Sequence, residues 1–589
     1  MGYPLVWDLE SFFKGGSESE EFAHFVKKID QTLLQLQGRV ELESSIEELE
    51  TFIHDLQDVM QYAREAGAFV SCLTAQDVSD EKATLWQGEI QEQMTKIQSL
   101  AVSLEEKLVA LSNDQWETLI ALDSLKEVKF NLEERKLAAD DKLDPEQEKL
   151  AASFAIDGYH AWGNLYNQAV GRMQVPFEED GEVKQLSAGQ LQNRLNSSDR
   201  PTRERAFDVS EEAWQKEAPL FASTLNHLAG FRLKLYEARG WEDVLKEPLA
   251  INRMESSTLD AMWGAINDNK PRFYEFMDRK AKLLGVEKLA MHDVHAPLPT
   301  EKDATISYDD ACELIIKHFR KFSPKLATFT EGALRDGWVE AEDRSGKRPG
   351  GFCTSFAKSK QSRIFMTYDG SMSNVATLAH ELGHAYHGHC LKEKQPFAQR
   401  YAMNVAETAS TLAETIVADA LVSEATDKEL KLSLLENKVN RALAFFMNIH
   451  SRFLFETRFY EARKEKLVST KELNELMEEA QREAYGNQLS NYSPTFWASK
   501  LHFHITGVPF YNFPYTFGYL FSMGIYKRAL DAGRSFEDDY IALLEDTASM
   551  SVEDLAKKHL DVDITKKEFW QEAIDVVLAD VDEFMELTK

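Results

Sequence analysis

The chain has 589 residues, above the roughly 250–300 at which a single hydrophobic core stops growing, so more than one lobe is expected. Hydrophobic residues at 43% and charged residues at 28% fit a folded globular protein and exclude a largely disordered or fibrous one. A formal charge of −32 argues against non-specific nucleic-acid binding, which needs a basic surface to displace counterions from phosphates.

The opening MGYPLVWDLESFFKGG lacks the basic stretch and apolar run of a secretory signal, and the chain has no uninterrupted apolar run of about 18 residues that would span a bilayer. Cys72, Cys312, Cys353 and Cys390 lie far apart, without the paired spacings of a thiolate metal site or the density of a disulfide scaffold. Free thiols and a cytoplasmic location are the expectation.

Phe22, Val26, Ile29, Leu33 and Leu36 recur at spacings of three and four, which puts them on one face of a helix. Similar stripes fill 45–64, 81–111 and 146–170, so residues 1–195 read as an N-terminal antiparallel helical region without chemistry of its own. At 196–205, NSSDRPTRER marks a boundary: Asp199 suits an N-cap, and Pro201 suits a first helical turn, where its missing N–H costs nothing. Helical patterning resumes and runs to about Arg335, opening a catalytic region assigned to 196–589.

Three short runs with β-formers, 338–342, 351–356 and 363–368, are joined by the turn-rich DRSGKRPG and AKSKQS. They predict a small antiparallel sheet just ahead of the next helix. An exposed edge there could hold an extended peptide by main-chain hydrogen bonds, or the ribbon could be purely structural.

The stretch AHELGHAYHGH, 379–389, holds four of the fifteen histidines. The segment 374–387 has good helix formers, no proline and a polar lead-in, so it predicts a helix. His380 and His384, four apart, share one face, as two imidazoles on a single Zn²⁺ require, and Glu381 is placed as a general base toward the attacking water. The extended metzincin pattern would need Gly at 387 and His at 390; the chain has His387 and Cys390, so that class is excluded. A downstream carboxylate is the remaining standard third ligand. The predicted helix 404–422 offers Glu407 and Glu414, two turns apart, on an otherwise small and apolar surface where a buried carboxylate needs a partner. Glu407 is the candidate ligand and Glu414 the candidate support behind it; the plain alternative is two solvated carboxylates. His387 and His389 either flank the site or are ordinary packed imidazoles.

Farther on, 501–522 reads LHFHITGVPFYNFPYTFGYLFS, dense in Tyr, His, Gly and Pro. Aromatic packing explains such a stretch; alternatively His504, Tyr511 and Tyr515 donate hydrogen bonds to an oxyanion formed at a carbonyl under attack.

Taken together, WDLESFF with its GG, KRPGGFCTSF, LAHELGHAYHGH, AETASTLAE, PFYNFPYTFGY and DLAKKHLDVDITKKEFW resemble oligoendopeptidase F, in the zinc metallopeptidase family that also contains thimet oligopeptidase. The resemblance implies a mostly α, two-lobed fold around a deep channel, with a small sheet beside the zinc helix. It also implies one Zn²⁺ per chain held by His380, His384 and Glu407, Glu381 as general base, and His504, Tyr511 and Tyr515 in substrate contact. The implied activity is hydrolysis of internal bonds in short, unstructured peptides, with no nucleic-acid or membrane partner. A helical binding protein with an inactive metal motif and a zinc exopeptidase are the competing readings.

Overall fold

A computed structural model describes residues 2–40, 45–179, 181–298 and 305–589. It is mostly α-helical, with 73% of residues in helices and two small sheets among the described residues. The chain divides into two compact units, each built from three stretches of sequence: residues 1–142, 303–420 and 528–561 form one, and 143–302, 421–527 and 562–589 the other.

In the first unit, the helices Glu20–Val40, Ile46–Gln76 and Glu81–Ala110 pack on one another through the predicted stripes. Phe22, Val26, Ile29, Leu33 and Leu36 are all buried. Ser45 and Glu48 form a reciprocal capping box at the start of the second helix, satisfying backbone donors that a helix start leaves unpaired. The core of this bundle runs on without a break into Phe356, Phe365, Phe397 and Ala398, so it forms the floor beneath the sheet.

That sheet has strands β3 (Val339–Glu340), β4 (Phe352–Phe356) and β5 (Gln361–Phe365) in the order β3-β5-β4; the first sheet is the hairpin of β1 (Val175–Glu179) and β2 (Glu182–Leu186). β4 and β5 pair antiparallel as expected, but β3 runs parallel to β5. A parallel partner needs a long crossover rather than a tight turn, and the span from 341 to 360, which includes β4 itself, supplies one. The β1–β2 hairpin has no counterpart in the sequence reading; its polar stretch carries too few β-formers to stand out.

The opening segment acts as a strap across this sheet. Arg363 on β5 donates from Nε and Nη2 to the Asp8 carbonyl oxygen at 3.1 and 2.9 Å, Phe12 stacks on Phe356 at 3.8 Å, and Trp7 Nε1 donates to Gln76 at 2.6 Å. The motif WDLESFF thus earns its place by packing.

In the second unit, Asp199 caps the long helix Arg200–Arg239 by accepting from Thr202 N–H at 3.0 Å, with Pro201 in the first turn. The helix ends at Gly240, whose φ of 71° is a left-handed conformation that glycine adopts without strain. Two buried cations of this unit are paired with carboxylates: Arg203 to Asp293 at 3.1 Å and Lys280 to Glu436 at 2.8 Å. The last helix, Lys567–Leu587, packs on Ser256–Leu283 and Lys428–Leu443.

Candidate metal centre and substrate segment

The histidine helix spans Met372–Leu391, capped by Ser371, whose Oγ accepts from Asn374 N–H at 3.3 Å. Glycine at 383 lets a second helix approach closely: a Cβ there would lie 2.5 Å from Ser410 Cα and 2.6 Å from the Ala409 carbonyl oxygen. The second helix is not the continuous 404–422 segment expected. It is split into Met403–Ala406 and Thr408–Glu424, with Glu407 at the joint in a non-helical conformation, φ −87° and ψ 4°. The break turns the Glu407 side chain toward both histidines.

Glu407 Oε2 lies 3.2 Å from His380 Nε2 and 3.4 Å from His384 Nε2, and one ligand atom from each of the three residues falls within 4.8 Å of the others. Ser410 Oγ donates to the same oxygen at 2.7 Å. Behind His380, the Glu414 carboxylate sits 3.1 Å from Nδ1, the arrangement that fixes a ligating imidazole with Nε2 directed forward. Burial alone would raise the Glu407 carboxyl, but hydrogen bonds from His380 and His384 hold it well below its ordinary value. The group is two imidazoles around a carboxylate, with all three side chains about a fifth exposed.

Glu381 is 7% exposed, and its Oε2 is a buried oxygen with no hydrogen-bond partner. Burial pushes its carboxyl up, against the opposing pull of His384 and His380. Gly351 lies beside it: a Cβ there would sit 3.8 Å from Glu381 Oε1, in ordinary contact. Two imidazole nitrogens, one carboxylate oxygen and an orphaned carboxyl beside them fit a catalytic zinc site with three protein ligands and an open position.

Residues 194–576 match Peptidase family M3. The chain belongs to that family. Residues 107–174 match a second model, Oligopeptidase F. An oligoendopeptidase F homolog of Lactococcus lactis subsp. lactis is 22% identical to this chain over 570 residues, covering 95% of this chain and 94% of that one. A homolog of the same description from Borreliella burgdorferi is 22% identical, covering 99% and 98%. The crystal structure of oligoendopeptidase-F from Enterococcus faecium shares the fold, with a TM-score of 0.71 at 19% identity over 96% of this chain and 99% of that one. The family M3 assignment makes the protein a peptidase.

The other histidines of the motif stay out of the metal group. His387 is buried, stacks on Tyr401 at 4.2 Å, and places Nε2 2.9 Å from Thr547 Oγ1; burial pushes it down to about 3, so it is neutral. His389 packs against Phe329 at 4.7 Å.

The downstream segment sorts its histidines differently from the sequence expectation. His504 is 1% exposed, stacked on Tyr166 at 3.8 Å with Nδ1 3.4 Å from Thr224 Oγ1. It is a core side chain. His502, two residues earlier, is half-buried, and its ring lies 5.3 Å from that of Tyr511, which lies 5.9 Å from that of Tyr515. Both tyrosines are half-buried. In the sequence HFH the two histidines are indistinguishable; which one faces inward depends on Tyr166 and Phe221, more than 280 residues earlier.

Proposed function

We propose that this family M3 peptidase is a zinc-dependent oligoendopeptidase that hydrolyses internal bonds of short, unstructured peptides. The observation that carries the reading is the convergence of His380, His384 and Glu407 ligand atoms within 4.8 Å beside the buried, unpaired Glu381 carboxyl. Those three residues would hold one ion per chain. When bound, zinc supplies Lewis-acid chemistry, polarising the scissile carbonyl and lowering the pKa of water toward about 7.

Glu381 accepts the proton of the attacking water on a carboxylate oxygen and delivers it to the leaving amine nitrogen. Its burial makes it more basic than an exposed glutamate, which favours the first transfer. Glu414 holds the His380 tautomer and Ser410 holds the Glu407 carboxylate, so neither ligand has to be ordered during turnover. We assign His502, Tyr511 and Tyr515 to substrate contact and oxyanion stabilisation, and leave His504 to the core. The catalytic region is assigned to 196–589, supported by the family match that begins at 194. β4 lies at an edge of its sheet, open to pairing with an extended peptide.

The preference for short peptides and internal bonds rests on relatives whose names read oligoendopeptidase. A cytoplasmic location is supported by four unpaired cysteines; among the described residues no helix is long and apolar enough to cross a membrane.

The test is mass-spectrometric mapping of cuts in peptides of about 5 to 30 residues by untreated, chelated and zinc-resupplied protein. Internal cuts that vanish with chelator and return with zinc are the expected outcome. Cuts confined to peptide ends would make it an exopeptidase, and chelator-resistant cleavage would overturn the zinc assignment.

A further inference from the structure

Beside the segment bearing His502, Tyr511 and Tyr515 lie two cations that, among the described residues, have no carboxylate at ion-pair distance. Arg452, on the helix Ile449–Glu465, and Lys500, just past the short helix Phe496–Ser499, are both half-buried. Both lie against one ring: Arg452 Cζ is 5.3 Å and Lys500 Nζ 4.6 Å from the Phe496 centroid. Arg452 Nε donates to Asn448 Oδ1 at 2.9 Å and Nη1 to Asn512 Oδ1 at 2.8 Å. Both acceptors are neutral amides. Among the described residues neither cation has a carboxylate at ion-pair distance, and neither Arg452 Nη2 nor the Lys500 ammonium donates a hydrogen bond.

Elsewhere in the unit Arg203 and Lys280 are each matched by a carboxylate, whereas buried Lys270 rests on His450 Nδ1 at 2.8 Å and buried Arg232 on tyrosine hydroxyls and the Thr506 carbonyl oxygen. Arg452 and Lys500 differ from these in lying against one ring together. Two like charges withdrawn from water side by side destabilise the fold unless an anion joins them. Burial lowers both groups, Arg452 to about 10 and Lys500, with Arg452 adding repulsion, to about 8, so both remain largely charged at neutral pH. The same two charges, after burial, help hold His502 down at about 4, which ties them to the face it shares with Tyr511.

We propose that Arg452 and Lys500 form a carboxylate-binding subsite that anchors a peptide substrate by its C-terminal carboxylate or by an acidic side chain. The proposal rests on the reading of His502, Tyr511 and Tyr515 as substrate contacts. Asn448 and Asn512 hold the guanidinium through Nε and Nη1 and leave Nη2 for the incoming oxygen, while the ammonium supplies a second charge-assisted donor. The anchor selects peptides by charge, a property distinct from bond hydrolysis.

Binding is measured by fluorescence anisotropy with full-length, zinc-loaded Glu381→Gln protein, so that the peptides persist. One labelled peptide containing Glu and Asp is used as the free acid, as the C-terminal amide, with Gln and Asn at its acidic positions, and with both changes. Loss of the recognised carboxylate should weaken binding about ten-fold; amidation reports a terminal anchor, and side-chain neutralisation an internal one. Adding Lys500→Met, which removes no hydrogen bond inside the protein, should shrink that difference to about two-fold, and Lys500→Arg should restore it. Equal affinity for all four peptides, no binding of any of them, or full discrimination retained in both Lys500→Met and Arg452→Gln proteins overturns the subsite. Because the readout is binding, a parent enzyme that cuts no peptide counts against the proposed hydrolysis alone.

Discussion

The Glu381 carboxyl combines burial with an unsatisfied oxygen, a pairing that lowers stability in the absence of a ligand. Glu381→Gln keeps the shape and removes the base. Its expected signature is one zinc per chain by elemental analysis, with peptide turnover lower by about 10²–10⁴-fold. Glu414 acts one step back. Glu414→Ala frees His380 Nδ1 of its carboxylate and should weaken zinc about 10–100-fold in a chelator competition, with turnover recovering at saturating zinc. At this scale the sequence was informative where residues are close along the chain: four-residue spacing puts His380 and His384 on one face whatever the rest of the protein does. It was silent on His502 against His504, because the choice is made by contacts from Tyr166 and Thr224, remote in sequence.

Among elements, the joint between the histidine helix and the helix Thr408–Glu424 governs the site. Gly383 is tight against backbone rather than against a flexible side chain, so Gly383→Ala forces the two helices apart. The expected cost is about 1–3 kcal/mol of stability, read as a lower urea midpoint, together with weaker zinc binding because Ser410 and Glu407 move with the second helix. A lowered midpoint with unchanged zinc affinity would show that the ligand geometry does not depend on this contact. The helical stripes were readable because period 3.6 is a local property, and Asp199 announced a helix start. The interruption at Glu407 was not readable, since AETAS contains no proline or glycine to mark it. Nor was the parallel pairing of β3 with β5, which depends on how the intervening residues route the chain.

For the molecule as a whole, two effects on stability are measurable. Any ion held at His380, His384 and Glu407 binds the folded state in preference to the unfolded one, so chelation should lower the thermal midpoint and zinc restore it, by about 2.7 kcal/mol at a hundred-fold excess over Kd. The second effect is pH-dependent. Glu456 is buried and pushed up to about 8, chiefly by burial and against the pull of Arg232 and the Phe510 N–H, which donates to it at 3.1 Å. The folded protein keeps a proton that the unfolded chain gives up above about 4.5, the ordinary value for this group. Stability is therefore undiminished below that pH, falls as pH rises toward 8, and stays reduced above it. Glu456→Gln should unfold at nearly the parent's denaturant concentration at pH 5 and at a higher one at pH 8.5; parallel losses at both pH values would assign the residue a merely structural hydrogen bond. The assembly of each unit from three stretches was beyond the reach of local patterns, because the crossings at 420/421 and 527/528 fall inside ordinary helices.

The strap across the sheet sets an order of events on the ribosome. Phe12 and Trp7 find their ring partners on Phe356 and Phe365, and Asp8 meets Arg363 355 residues later. At about 5–20 residues per second, roughly 20–70 s of translation separate the two. Through that interval Phe13 can already pack on Phe22 and Phe69, but Phe12 has no Phe356 to stack on and the Asp8 carbonyl no Arg363, so the strap is among the last parts of its unit to close.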